Sequence, residues 1–328
     1  MSDKKVMLSG NRVSGKLHIG HYFGVLKNYV ELQTKYLSYF FIANWHGITD
    51  RHDTSLMKEH SIEMLRDWFA VGIDPKIATV FIQSYVKEHA ELSLLLGMIT
   101  PLGWLYRCPT FKDKIKDINE KDGINFGLLG YPVLMTSDIL VYRASFVPVG
   151  EDQLAHLEIS REIARRFNSF YGEIFPEPGA VLTKTSKLMG LDNRKMSKSY
   201  DNCIYLSDDM ETVKSKIMPM ITDPARIKRT DPGNPDICNV YSYHLAFEQP
   251  ENILCEINEG CRTAGIGCVD CKKILIKKME EFFTPIHERR RGLSDDYIRQ
   301  VAEEGSKKAG ERARETMALV NKKMNLVI

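Results

Sequence analysis

Two short segments carry residue types that could handle a phosphorylated nucleotide. Gly15-Lys16-Leu17-His18-Ile19-Gly20-His21 follows the apolar run Val6-Met7-Leu8, the order expected of a strand, a glycine-containing turn and a helix start. Glycine lets the backbone come close to a phosphate, and a helix N-terminus favours its negative charge. Far downstream, Lys195-Met196-Ser197-Lys198-Ser199 is a polar loop whose two ammonium groups could reach a polyphosphate from the other side. Together the segments suggest nucleotidyl transfer rather than hydride chemistry. A separate group is Cys238, Cys261, Cys268 and Cys271, spaced C-x22-C-x6-C-x2-C near Gly260, Gly265 and Gly267. Four thiols in a reduced protein suggest a bound metal, and spacing alone leaves tetrahedral zinc and an iron–sulfur cluster both open. Cys255 reads as a spare, and Cys108 and Cys203 as packed residues.

These groups need a scaffold that holds distant segments together. The chain has 328 residues, 43% hydrophobic and 27% charged, with a net charge of +2. That length can bury a sizeable core, and two domains are expected. A nearly neutral charge leaves nucleic-acid contact to local basic patches. The N-terminus lacks the apolar run of a signal peptide and no run is long enough to span a membrane, so a cytoplasmic location without disulfides and without a membrane partner is expected. Leu37–Ala43 and Ile77–Gln83 read as buried parallel strands, with a helical pattern over 53–69 between them. Strand, helix, strand predicts an α/β fold: a Rossmann-like doubly wound parallel sheet with a smaller C-terminal α-helical domain. The expected division is a catalytic domain 1–190, a signature loop 191–205 and a helical domain 206–328 whose last helix packs back on the first. Phe175 to Lys195 reads as a linker, and helices are expected over 209–220, 268–288 and 295–324. The last carries Lys307, Lys308, Arg312, Arg314, Lys322 and Lys323, which read first as a solvated face and second as an RNA contact.

Further motifs extend the pattern. Tyr131-Pro-Val-Leu-Met-Thr-Ser-Asp138-Ile-Leu-Val-Tyr precedes Val147-Pro-Val-Gly150-Glu-Asp152-Gln153, then His156-Leu-Glu-Ile-Ser-Arg. With the two signatures, and with 222–235, these resemble the bacterial tryptophanyl-tRNA synthetases, which are class I aminoacyl-tRNA synthetases. The likeness runs from about Leu8 to Leu326. It implies activation of L-tryptophan with ATP to tryptophanyl-AMP and pyrophosphate, then transfer to the 3' end of tRNA(Trp). It also implies Mg²⁺ with the ATP, a homodimer and, from the cysteine spacing, the subset that carries a [4Fe–4S] cluster, with Zn²⁺ as the alternative.

The resemblance assigns roles residue by residue. His18, His21, Lys195 and Lys198 would be catalytic, serving the triphosphate. Asn11, Arg12, Gly20, His21, Gly150, Asp152 and Lys195 through Ser199, including Met196 and Ser197, would bind ATP, with Asp152 facing the ribose. Leu8, His46, Tyr131, Met135, Asp138, Val149 and Gln153 would bind tryptophan, with Tyr131 and Gln153 near its ammonium. Asp138 lies in an apolar run read as a helix start, as expected of a buried acid awaiting the single N–H of an indole. Arg226, Lys228 and Arg229 are candidates for RNA contact. Departures from the family pattern are Val13 in place of a proline, Asn44 and Gly47 beside His46, Leu8 where an aromatic often packs, and Thr136-Ser137, which could alter pocket polarity.

Overall fold

A computed structural model describes residues 4–49, 53–108, 111–112, 125–150, 154–182 and 188–327. Five strands, β1 (Val6–Arg12), β2 (Leu37–Ala43), β3 (Thr79–Ile82), β4 (Phe146–Val149) and β5 (Gly179–Leu182), form one parallel sheet in the order β3-β2-β1-β4-β5. Successive residues of a strand point to opposite faces, and here both faces are covered. Met7, Phe40 and Ile42 enter one apolar core with Trp68, while Leu8, Tyr39 and Phe41 enter another with Phe81, Tyr142 and Phe167. This is why β2 reads as a nearly unbroken apolar run. The α/β expectation is met, and the order places a crossover beside β1, where chain direction around the sheet reverses.

The first signature opens a helix that runs Ile19–His21, passes through a π segment, Tyr22–Leu26, and continues over Lys27–Leu32. The helix expected over 53–69 is observed at Met57–Val71, ending on left-handed Gly72. The expected linker is not one throughout: β5 lies inside it and pairs with β4. Its four residues are too few to give a periodic signal.

Helices Met210–Ile217, Asn239–Ala246, Glu251–Arg262, Cys268–Arg291 and Asp295–Lys323 make up the C-terminal part. They share a core with the first half: Leu17, Phe23 and Trp68 are continuous with Tyr243, Phe283 and Ile298. The final helix lies against β3, with Ala302 and Ser306 buried and Ser306 Oγ accepting from Ile82 N–H at 3.3 Å. Among the described residues, no helix is long and apolar enough to cross a membrane.

Candidate active site

The C-terminal ends of β1 and β4 diverge at the crossover, and a cavity of about 720 Å³ opens there. Of the residues singled out from sequence, Leu8, Asn11, Arg12, His46, Tyr131, Met135, Asp138, Val149, Gly150 and Lys195 line it. Ligands of open α/β sheets bind at such a switch point because the loops on its two sides turn opposite ways. Asp152 and Gln153 lie outside the described residues.

Beside Lys195 stands the first signature, although His18, Gly20 and His21, like Met196 through Ser199, are not themselves on the cavity wall. Gly20 is needed for close approach: a Cβ there would lie 2.9 Å from His18 Nδ1 and 3.1 Å from Met196 Sδ. The two histidine rings are 3.8 Å apart by their centroids. Burial, then the neighbouring His21 and the Lys198 ammonium, lower the His18 pKa to about 3. Burial and Lys198 lower that of His21 to about 4. Both rings are therefore neutral at pH 7, able to donate or accept a hydrogen bond but carrying no charge. Among the described residues, His18 Nδ1 is buried without a hydrogen-bond partner. The preceding backbone is pinned by a residue that sequence reading missed. Asp67, fully buried, accepts from Leu17 N–H at 3.0 Å and from Arg290 Nε at 3.1 Å.

The second signature reaches this end from the other side. Lys195 is on the cavity wall, and Lys198 Nζ donates to the Ser14 carbonyl, next to the first signature. Its shape comes from Asn202, also unforeseen. The Asn202 side chain accepts from Ser197 N–H at 2.8 Å and donates to Asp192 Oδ1 at 2.7 Å and Lys195 O at 3.2 Å. Gly190 makes room for that amide, since a Cβ would lie 2.2 Å from Asn202 Nδ2. Ser197 caps the short turn 198–200 by accepting from Ser199 N–H. The chain then returns past the first signature, with Ile19 N–H donating to Ile204 O and Leu206 N–H to Leu17 O.

At the other end Asp138 is buried, 2% exposed. It sits near the close of the helix Phe126–Leu140, not at a helix start as the sequence suggested. A carboxylate there is disfavoured by the helix dipole, so side chains must hold it. Gln83 Nε2 donates to Oδ1 at 2.8 Å, His89 Nδ1 to Oδ1 at 2.6 Å and His46 Nε2 to Oδ2 at 2.8 Å. Burial pushes the carboxyl upward, and the bonds from His46 and His89 more than reverse this, leaving it below the ordinary range. It is an ionised acceptor with partners, not the lone acid expected. Gln83 gave one sequence signal only, a polar residue directly after the apolar run of β3, and His89, on the helix Glu88–Ile99, gave none. Asn44, an expected departure, braces the strand ends, donating to Ser84 Oγ at 2.7 Å and accepting from Ser84 N–H. Thr136 and Ser137 do not alter cavity polarity. They bond Pro132 O and His89 O from buried positions off the wall.

Tyr131 borders the cavity with its hydroxyl 3.2 Å from Cys108 Sγ, and His156 Nδ1 is 3.3 Å from that sulfur. Cys108 is thus more than packing.

The four spaced cysteines surround a separate small cavity, along with Arg226, Pro235 and Ile266. Cys268 and Cys271 occupy the first turn of their helix, Cys261 the end of the preceding one, and Cys238 a helix N-cap. Burial, then the other three cysteines, push the Cys271 thiol up to about 12. Among the described residues, no group of three or more His, Cys, Asp or Glu has the arrangement that holds a metal ion, so the expected metal centre is not preformed. Cys255 is exposed and off this wall. Arg226 and Arg229 are engaged by the neighbouring backbone. Arg226 Nη2 donates to Ile266 O at 2.7 Å and Arg229 Nη2 to Gly265 O at 3.1 Å, tying down the cysteine loop.

The family model for tRNA synthetases class I (W and Y) matches residues 2–284. A tryptophan–tRNA ligase of Thermotoga maritima is 49% identical over 325 residues, covering 98% of this chain and 99% of that protein. One from Aquifex aeolicus is 44% identical over 392 residues, with the same coverage of 98% and 99%. The crystal structure of tryptophanyl-tRNA synthetase from Campylobacter jejuni, complexed with ADP and tryptophan, superposes with a TM-score of 0.88 at 34% identity, covering 98% of this chain and 99% of that one. Tyrosyl-tRNA synthetase from Archaeoglobus fulgidus has a TM-score of 0.67 at 20% identity and shares the fold.

Proposed function

The chain belongs to the tRNA synthetases of class I (W and Y), and from this premise we propose that it is a tryptophan–tRNA ligase. It activates L-tryptophan with ATP and passes the aminoacyl group to tRNA(Trp). The observation that carries the amino-acid assignment is the cavity's two unlike ends. One has a buried ionised acid in apolar surroundings, and the other has Lys195, whose loop packs against the glycine-containing helix start.

In the first step a carboxylate oxygen of tryptophan attacks the α-phosphorus of ATP. A new P–O bond forms, the bond to the β-phosphate bridge breaks, and pyrophosphate leaves. Negative charge gathers on phosphoryl oxygens, so donors already aimed there lower the barrier, a single one by ~3 kcal/mol. Lys195 and Lys198 supply charge, while neutral His18 and His21 supply hydrogen bonds, with Ser197 and Ser199 on the phosphates. Asn11, Arg12, Gly20, Gly150, Asp152 and Met196 hold the adenosine. Mg²⁺ bound to the ATP phosphates would supply charge that neutralises the leaving pyrophosphate. In the second step the terminal adenosine hydroxyl of tRNA attacks the adenylate carbonyl and AMP leaves.

Asp138 accepts the indole N–H, and Met135, Val149 and Leu8 line the slot. Tyr131 and Gln153 meet the ammonium, and His46 meets the substrate beside Asp138. A phenol also carries a donor, so tyrosine is the rival substrate. Pyrophosphate exchange driven by tryptophan and by tyrosine, followed by charging of tRNA, tests the reading. Exchange at least ~100-fold better with tyrosine, or exchange with neither, would reject it.

The four cysteines hold an iron–sulfur cluster of the [4Fe–4S] type in this reading, with zinc as the alternative. Support comes from their common cavity, in which thiolates would repel one another and a cationic centre would relieve that repulsion. Residues 1–190, 191–205 and 206–328 serve as catalytic domain, signature loop and anticodon-side helical domain. A homodimer is supported by exposed large apolar side chains on neighbouring segments, Leu94, Met98, Leu102, Tyr106 and Phe126, the last 85% exposed. A cytoplasmic location is in keeping with this activity.

A further inference from the structure

Behind Asp138 lies a chain of buried side chains that stops short of the cavity. His89 and Tyr142 are fully buried, and neither lines the wall. His89 Nδ1 must carry a proton to donate to the carboxylate at 2.6 Å. Its other nitrogen, Nε2, lies 2.7 Å from the Tyr142 hydroxyl. A neutral imidazole then accepts at Nε2 from the Tyr142 O–H, which leaves no buried proton without an acceptor. Both backbones are fastened: Ser137 Oγ donates to His89 O at 2.6 Å and Arg312 Nε to Tyr142 O at 3.0 Å. Among the described residues, Oδ1 of Asp138 takes two donors, from Gln83 and His89, while Oδ2 takes only His46. Unused lone-pair capacity is therefore on Oδ2, and both Asp138 and His46 border the cavity.

We propose that His89 and Tyr142 are positioning residues for amino-acid selection. Tyr142 fixes the tautomer of His89, His89 anchors Oδ1 of Asp138, and Oδ2 is thereby presented as an acceptor-only edge to the N–H of the amino-acid ring. The inference deepens the proposed function and rests on Asp138 being the ring acceptor. A ring without a donor would leave that edge desolvated and unpaired, which is the basis of rejection. Loosening the anchor lets the carboxylate turn away or share a proton, and the rejection weakens although no substrate contact has been removed.

The test uses the full chain. Pyrophosphate exchange gives KM and kcat for tryptophan, KM for ATP, and inhibition by the benzothiophene analogue, in which sulfur replaces the ring N–H. Wild type should favour tryptophan over the analogue by ~10-fold or more. Tyr142→Phe, which keeps the ring and its packing, should raise KM for tryptophan by ~3–10-fold and cut the preference by the same factor. Its kcat and KM for ATP should stay within about twofold. His89→Gln should do so more strongly. ¹⁵N spectra of the histidines should show a ring protonated at Nδ1 that vanishes in His89→Gln and becomes a tautomer mixture in Tyr142→Phe. An unchanged preference in folded Tyr142→Phe and His89→Gln, while Asp138→Asn collapses it, would overturn the relay alone. A preference absent in wild type, or unchanged in Asp138→Asn, would overturn the Asp138 assignment and the relay with it.

Discussion

Asp138 is an expensive residue to bury, and its stability as an ion depends on three donors meeting two oxygens. Its removal should be felt on one substrate only. Asp138→Ala is expected to raise KM for tryptophan by ~10–100-fold, the range of a lost charged acceptor, while KM for ATP changes little. Exchange kinetics with each substrate varied in turn checks this, and equal loss for both would reject the assignment. The histidines of the first signature make a different prediction, about stability. Burial lowers His18 to about 3 and His21 to about 4, whereas the unfolded chain takes up protons near 6.5. Their folded-state pKa values are depressed, so the unfolded state binds protons first as pH falls. The protein should hold full stability from these groups above pH 6.5 and lose it progressively between 6.5 and about 3. Urea midpoints at pH 7.5 and pH 5 should differ accordingly, and His21→Asn should narrow the difference.

At the scale of elements, the signature loop is organised by contacts within 190–202 rather than by its lysines. Asn202 satisfies three backbone or side-chain groups of that loop at once. Asn202→Ala should free Ser197 and Lys195 from their present positions and raise KM for ATP by ~10-fold, with KM for tryptophan within about twofold. An ATP dependence identical to wild type would show that Asn202 does not shape the phosphate side. The loop is also coupled to the first signature through paired backbone bonds on either side of His18. Asp67 adds a tie to Arg290 on the helix Cys268–Arg291, so the start of the catalytic helix is buttressed by the C-terminal part.

For the whole molecule, two surfaces outside the cavity carry expectations. If the exposed apolar residues Leu94 and Met98 belong to the dimer contact, Leu94→Glu with Met98→Glu should halve the mass seen by sedimentation equilibrium, because two charges cannot be buried unpaired. A mass unchanged by the pair would send the interface elsewhere. Protein purified anaerobically should be brown, with about four iron and four sulfide per chain. Colourless protein with one zinc would favour the alternative, and Cys271→Ser should lower the content of either metal.

Much of the chemistry was legible in residue order. The two signatures, the alternation of strands and helices, and the four-cysteine spacing are local patterns, set by chain geometry over a few residues. The boundaries of β2 were readable because a strand covered on both faces must be apolar throughout. β5 was not, since four half-exposed residues leave no distinctive period. What surrounds Asp138 could not be read locally at all. Its donors are 49, 55 and 92 residues away in the chain, and they converge only because the sheet sets β2 and β3 side by side beneath one helix end. Sequence alone determined which groups were available for nucleotide chemistry. Tertiary structure decided which of them carry charge and which partners hold the acid ionised, because burial and hydrogen-bond partners exist only once distant segments pack.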